Sequence, residues 1–314
     1  METLGTAVRD GGASLQELLD GGWDYHESES ERLARELEAA AGNEVPSNIL
    51  DSFLLLSTHT IGEHLGNWAR ALEVGRRLLD GRAPTPETAK AWGRLYVAAI
   101  LAGDPIEAAA LELASLKAVG DDFGATLLDM RFMLASALVG CKRAPEGARI
   151  FRGALDLFGQ IRQSPLLDRT IAVAGNNLGW TLYEMSTRTP DEDALLQLCA
   201  ASSLEFWRRC GYWINAERAL YLNALVANVT GDPACGLAHA DAALAIIAAN
   251  GERPLDAALL QLTRAMSLAT LGNDAASALA IGAADAAASK LTTAGLRLKF
   301  AAERAKVVAA TGDD

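Results

Sequence analysis

Apolar residues, mostly Ala and Leu, gather along the chain in runs long enough for helices, and the same polar punctuation closes run after run. Gly followed by Asp or Asn stands at Gly66-Asn67, Gly103-Asp104, Gly231-Asp232, Gly272-Asn273 and Gly312-Asp313. Gly supplies the left-handed conformation that ends one helix, and the next side chain caps the start of another. Pro105 and Pro233 then take the first helical position, where a missing N–H costs nothing. After each turn a small residue or an Ala-Leu pair arrives at a fixed distance: Ala71-Leu72, Ala108, Gly236-Leu237 and Ala278-Leu279. Small residues there let the second helix approach the first closely. The pattern predicts a helical hairpin, repeated.

Sliding this register along the chain gives second helices that begin near residues 30, 67, 104, 144, 190, 232 and 273. The corresponding hairpins fall near 14–42, 47–81, 86–120, 124–159, 165–210, 214–250 and 254–290, followed by a terminal helix at 293–311, all in one domain of residues 1–314. Two turns are irregular. One lacks the Gly but keeps Phe151 and Ala154 in its second helix, and another is longer, from Ser186 to Glu192. Within the longer turn Thr189-Pro190-Asp191-Glu192 reads as a capping box with Pro at the first helical place. The first hairpin, carried by Gly22, Tyr25 and Ala34, is the least marked. Phe53 to Ile61 has the Ser, Thr and Ile of a strand, but its place as a first helix assigns it to a helix. The terminal helix, with Arg297, Lys299, Arg304 and Lys306, reads as the polar cap that an array needs.

The hairpin holding Trp92, Leu95, Gly103 and Ala108 resembles the tetratricopeptide repeat, and Leu178-Gly179 reproduces that family's Leu-Gly pair. Successive second helices are spaced from about 37 residues upward, against 34 in the family, so helices or connections are extended. A HEAT-like array of helical hairpins is the structural competitor. The resemblance implies an all-α fold, a right-handed superhelix (α-solenoid) of about seven antiparallel helix pairs plus a C-terminal capping helix. It also implies that the first helices line a concave groove which holds a protein or peptide partner.

Positions about i, i+4 and i+7 share one side of a helix, so they give candidate groove residues. In the N-terminal part these are Trp23, His26 and Glu27 from one helix and Thr60, Glu63 and His64 from the next, a carboxylate and imidazole cluster. His59-Thr60-Ile61-Gly62-Glu63-His64 is not the HExxH metal motif, whose two His are four apart; here they are five apart, and the cluster is read as polar groove lining with no metal. Further on, Asn176, Trp180 and Tyr183 form one stripe and Arg218, Tyr221 and Asn228 the next. Rings supply contact area at low entropy cost and Asn can pair with a peptide backbone; packing between repeats is the other reading of Trp180 and Tyr221. Some tetratricopeptide domains clamp an acidic C-terminal peptide with Lys, Asn and Arg. Asn177 and Arg218 fall at two such places, but Phe132 and Ser136 stand where Lys and Asn are required, so that clamp is incomplete.

Composition narrows the function. Half the residues are hydrophobic and 22% are charged, enough apolar material for a core. A net charge of −12 provides no basic footprint for nucleic acid or an anionic membrane and favours a basic or neutral partner. Cys141, Cys199, Cys210 and Cys235 lie far apart and read as reduced core residues. Met1-Glu2-Thr3-Leu4-Gly5 opens no secretory signal and no uninterrupted apolar run reaches a membrane span, which points to the cytoplasm. There is no Gly-rich phosphate loop or nucleophile elbow, and Asp121-Asp122 and Asp191-Glu192-Asp193 suit helix starts, so neither an enzyme nor a cofactor is expected. The expectation is an interaction scaffold or regulatory adaptor. The alternative is a ligand- or peptide-sensing domain that controls a fused or separate effector, suggested by the stop after Gly312-Asp313.

Overall fold

The computed structural model describes residues 15–311, so the Gly312-Asp313 turn lies outside the described residues. These form fifteen α-helices, with no strand among the described residues, and neighbouring helices pack in pairs. The chain divides into two compact units, Met1–Arg143 and Ala144–Asp314.

The first unit holds α1 (Leu15–Tyr25), α2 (Ser30–Ala40), α3 (Leu50–Ser57), α4 (Trp68–Leu79), α5 (Ala89–Ala102), α6 (Pro105–Val119) and α7 (Phe123–Gly140). The turn chemistry is as read from the sequence. Gly103 closes α5 at φ 83°, and the Asp104 side chain accepts a hydrogen bond from the Glu107 N–H ahead of Pro105. Asn67 does the same for α4 through the Arg70 N–H. Besides the hairpin pairs, α1 packs on α3, α3 on α5 and α5 on α7. Phe53, Leu54, Leu56 and Ile61 are fully buried, which explains how a strand-like composition serves a helix: its β-branched and aromatic groups form core. The segment is continued by a wide π-helical turn, Thr58–His64. By length and composition α7 is apolar enough to cross a membrane, but half of it is buried within the protein.

The second unit holds α8 (Ala144–Phe158), α9 (Pro165–Tyr183), α10 (Pro190–Cys210), α11 (Trp213–Val229), α12 (Pro233–Asn250), α13 (Pro254–Thr270), α14 (Asp274–Ala288) and α15 (Ala294–Thr311). Thr189 and Glu192 make the capping box, each side chain bonding the other's backbone N–H. Here α9 packs on α11, α11 on α13 and α13 on α15. The division between units falls between α7 and α8, inside the interval 124–159 read as one hairpin, and α8 packs on α10. The terminal helix is more than a polar cap: Phe300 and Val307 are buried with Leu259, Leu262, Leu268 and Ile281.

Candidate functional sites

In the second unit α9, α11, α13 and α15 enclose a cleft of about 770 Å³. Five of the expected residues, Asn176, Trp180, Tyr183, Arg218 and Tyr221, line it. The Trp180 ring meets Tyr183 edge-on with centroids 5.6 Å apart and leans on Tyr221 at 5.9 Å. Opposite stand Leu255, Asp256 and Leu259 of α13, and Lys299, Glu303 and Lys306 of α15. Asn228 is elsewhere. Its amide donates to the Thr263 carbonyl at 3.1 Å and accepts from the Ser267 hydroxyl at 2.8 Å, so both ends are spent tying α11 to α13. Asn177 of the incomplete clamp is exposed beside Asn176 and outside the cleft, and Phe132 is buried in the first unit.

Glu217, which stands outside the stripe of Arg218, Tyr221 and Asn228, gives the cleft its character. Glu217 is 1% exposed, and its Oε2 atom has no hydrogen-bond partner. Burial pushes the Glu217 acid up to about 7, and the neighbouring Asp256 adds to the shift against Arg218 and Arg253. Asp256 is itself occupied by Arg253, with Nε 2.6 Å from Oδ2, whereas the Arg218 guanidinium is 58% exposed and 3.9 Å from the same oxygen. Burial also raises the Tyr183 and Tyr221 hydroxyls. One signal was present in the sequence: Glu217 is four residues before Tyr221, on the same side of α11.

In the first unit the expected cluster forms around a residue that the stripe omitted, His59. His26, His59 and His64 each offer a ring nitrogen within 4.8 Å of the other two. The Nε2 atoms of His59 and His64 are 3.1 Å apart, and the His26 ring centroid is 5.1 Å from both neighbouring rings. Glu63 lies 2.8 Å from His59 Nδ1, and the Trp23 carbonyl lies 2.7 Å from His26 Nδ1. Carboxylate and carbonyl oxygens only accept, so both Nδ1 atoms carry the proton and, in the neutral rings, both Nε2 atoms present a lone pair. Glu27 is mostly exposed, with Oε1 3.9 Å from His26 Nε2. Trp23 covers one side, with ring centroids 5.2 Å from His26 and 5.5 Å from His59. Burial, then the imidazoles of His59 and His26, hold His64 below the usual histidine range. Thr60, read as groove lining, is fully buried with no partner for its hydroxyl oxygen.

The π-helical turn explains both differences. Residues five apart on an α-helix sit about 140° apart around the axis. Here the Leu65 N–H reaches back to the Thr60 carbonyl at 3.1 Å, the turn widens, and His59 and His64 come to one side. Gly62 makes room for it, since a Cβ there would lie 2.6 Å from the Trp68 ring. The local signal was a run of weak helix formers, Ser57, Thr58, Thr60 and Gly62, around a histidine pair. Compared with protein-family models and with curated proteins, the chain matches none.

Proposed function

We propose that this is a binding protein of the tetratricopeptide kind, its hairpins stacked as α-solenoid turns within each unit. Its second unit grips a peptide segment of a protein partner and catalyses nothing. The observation that carries the reading is the buried Oε2 atom of Glu217, without a hydrogen-bond partner, in the wall of an aromatic cleft. A buried polar atom left unpaired costs about 1–3 kcal/mol, which an occupant bringing an N–H donor would recover. A Lys or Arg side chain meets two demands at once: a charge-assisted bond to Glu217, and its face or head against Trp180 or Tyr221. The net charge of −12 favours the same class of partner.

The test is selection of a phage-displayed random peptide library on the full chain. Enrichment of Lys- or Arg-bearing peptides is expected, with Trp180→Ala weakening them by about 2 kcal/mol or more, roughly thirtyfold in Kd. Peptides that bind Trp180→Ala and Glu217→Gln as well as the wild type, or no enrichment at all, would reject the cleft as the site.

A further inference from the structure

We propose that His26, His59 and His64 form a binding site for a borderline divalent transition-metal ion of the Zn²⁺ class, with Glu27 placed to supply a fourth donor.

Four features of the first unit carry this. The donor set is imidazole, which suits Zn²⁺, Cu²⁺ and Ni²⁺ over the oxygen-seeking Mg²⁺ and Ca²⁺. The spacing is close to coordination distance. Two nitrogens bound to one tetrahedral ion at about 2.0–2.1 Å stand about 3.3 Å apart, and the His59 and His64 Nε2 atoms already stand at 3.1 Å. His26 lies within 4.8 Å, leaving at most about 1.5 Å to close by side-chain rotation. Third, the rings are backed as metal ligands are. His59 Nδ1 donates to the Glu63 carboxylate and His26 Nδ1 to the Trp23 carbonyl, which fixes the tautomer and aims Nε2. Fourth, the His59 and His64 Nε2 atoms face each other, and with a lone pair on His59 that approach needs either a proton on His64 Nε2 or a cation between them.

The site also has its own scaffolding. Gly140, at the end of α7, presses on Glu63 so closely that a Cβ would lie 2.5 Å from Oε2, and the Trp68 indole beneath Gly62 donates to Cys141 Sγ at 3.2 Å. Both hold the wide turn and the Glu63 carboxylate in place.

The experiment titrates the metal-free full chain with Zn²⁺ near pH 7.5 by calorimetry, with Mg²⁺ and Ca²⁺ as comparison ions. The expected result is one Zn²⁺ per chain and no response to the other two. His26→Gln, His59→Gln and His64→Gln should each lose at least tenfold in affinity, and Glu63→Gln should lose 10- to 100-fold as an outer-shell partner. The fourth histidine, His239, lies in the second unit, and His239→Gln should bind as the wild type does. Should the variants fold poorly, NMR of the wild type decides, since Zn²⁺ must shift the ring signals of His26, His59 and His64 and leave His239 alone. Unchanged affinity in the His59→Gln, His64→Gln double variant, or ring shifts confined to His239, would overturn the proposal.

Discussion

Gly175 of α9 lies so close under α10 that a Cβ on it would stand 2.7 Å from the Cys199 carbonyl oxygen and 3.1 Å from the Ser203 nitrogen. Both are backbone atoms of a helix and cannot turn aside as a flexible side chain would. The same crossing carries a buried hydrogen bond from the Ser203 hydroxyl to the Ala172 carbonyl at 3.1 Å. Gly175→Ala is therefore expected to destabilise the protein by about 1–3 kcal/mol through overpacking, even though Ala is the better helix former. Gly153 in α8 meets nothing within 4 Å, and Gly153→Ala should gain about 0.5–1 kcal/mol. Urea midpoints for the two variants should move in opposite directions. A rise for both would refute the tight crossing.

The capping box of α10 gives a second expectation. Thr189 Oγ1 accepts from the Glu192 N–H, and Glu192 Oε2 accepts from the Thr189 N–H at 2.7 Å. Thr189→Ala removes one bond and loosens the other, and should lower stability by about 0.5–2 kcal/mol in urea unfolding. Thr189→Ser keeps the acceptor and should restore most of the loss.

These two sites mark where the sequence was and was not legible. The starts of the second helices at Trp68, Pro105, Pro190, Pro233 and Asp274 could be read because Gly, Asp, Asn, Thr and Pro act locally, through φ and a single hydrogen bond. The aromatic and Arg members of the cleft followed from helical periodicity, which holds along α9 and α11. Asn228 shares that periodicity but is consumed by Thr263 and Ser267, partners that only tertiary packing supplies. His59 falls outside the groove stripe on an α-helical wheel, and only the π-helical turn brings it to the side of His64. The division after Arg143 has no local marker, since the turn near Cys141 lacks the Gly-Asp punctuation and instead holds Lys142 at φ 59°.

Glu217 makes stability depend on pH with a definite sign. Its acid titrates near 7 in the folded protein against the ordinary 4.5, so between these values the native state holds a proton that the unfolded chain has lost. Stability then falls as pH rises through this window, and the contribution is fully absent above it. Glu217→Gln, which keeps the shape without the charge, should flatten that segment and gain about 1–3 kcal/mol at pH 8 relative to its difference at pH 4. Chemical denaturation of both proteins at pH 4, 6 and 8 tests this. Parallel curves would mean that Glu217 carries its charge in the folded state without cost.

The closeness of Gly140 to Glu63 yields a test of how His59 is held that is separate from any ligand. A Cβ at Gly140 would lie 2.5 Å from Glu63 Oε2 and 2.8 Å from Cδ, so Gly140→Ala must push the carboxylate away. The displaced group is the end of a flexible side chain, and Ala gains about 1 kcal/mol of helix propensity over Gly, so net stability should change little. The imidazole should respond instead. With the 2.8 Å contact to Glu63 lost, the His59 ring loses the acceptor that fixes its proton on Nδ1 and should populate both tautomers. His26, anchored to the Trp23 carbonyl at 2.7 Å, should keep its own. Nitrogen chemical shifts of the two rings in wild type and Gly140→Ala would display the contrast. An unaltered His59 ring would show that α7 yields to the new methyl group rather than Glu63.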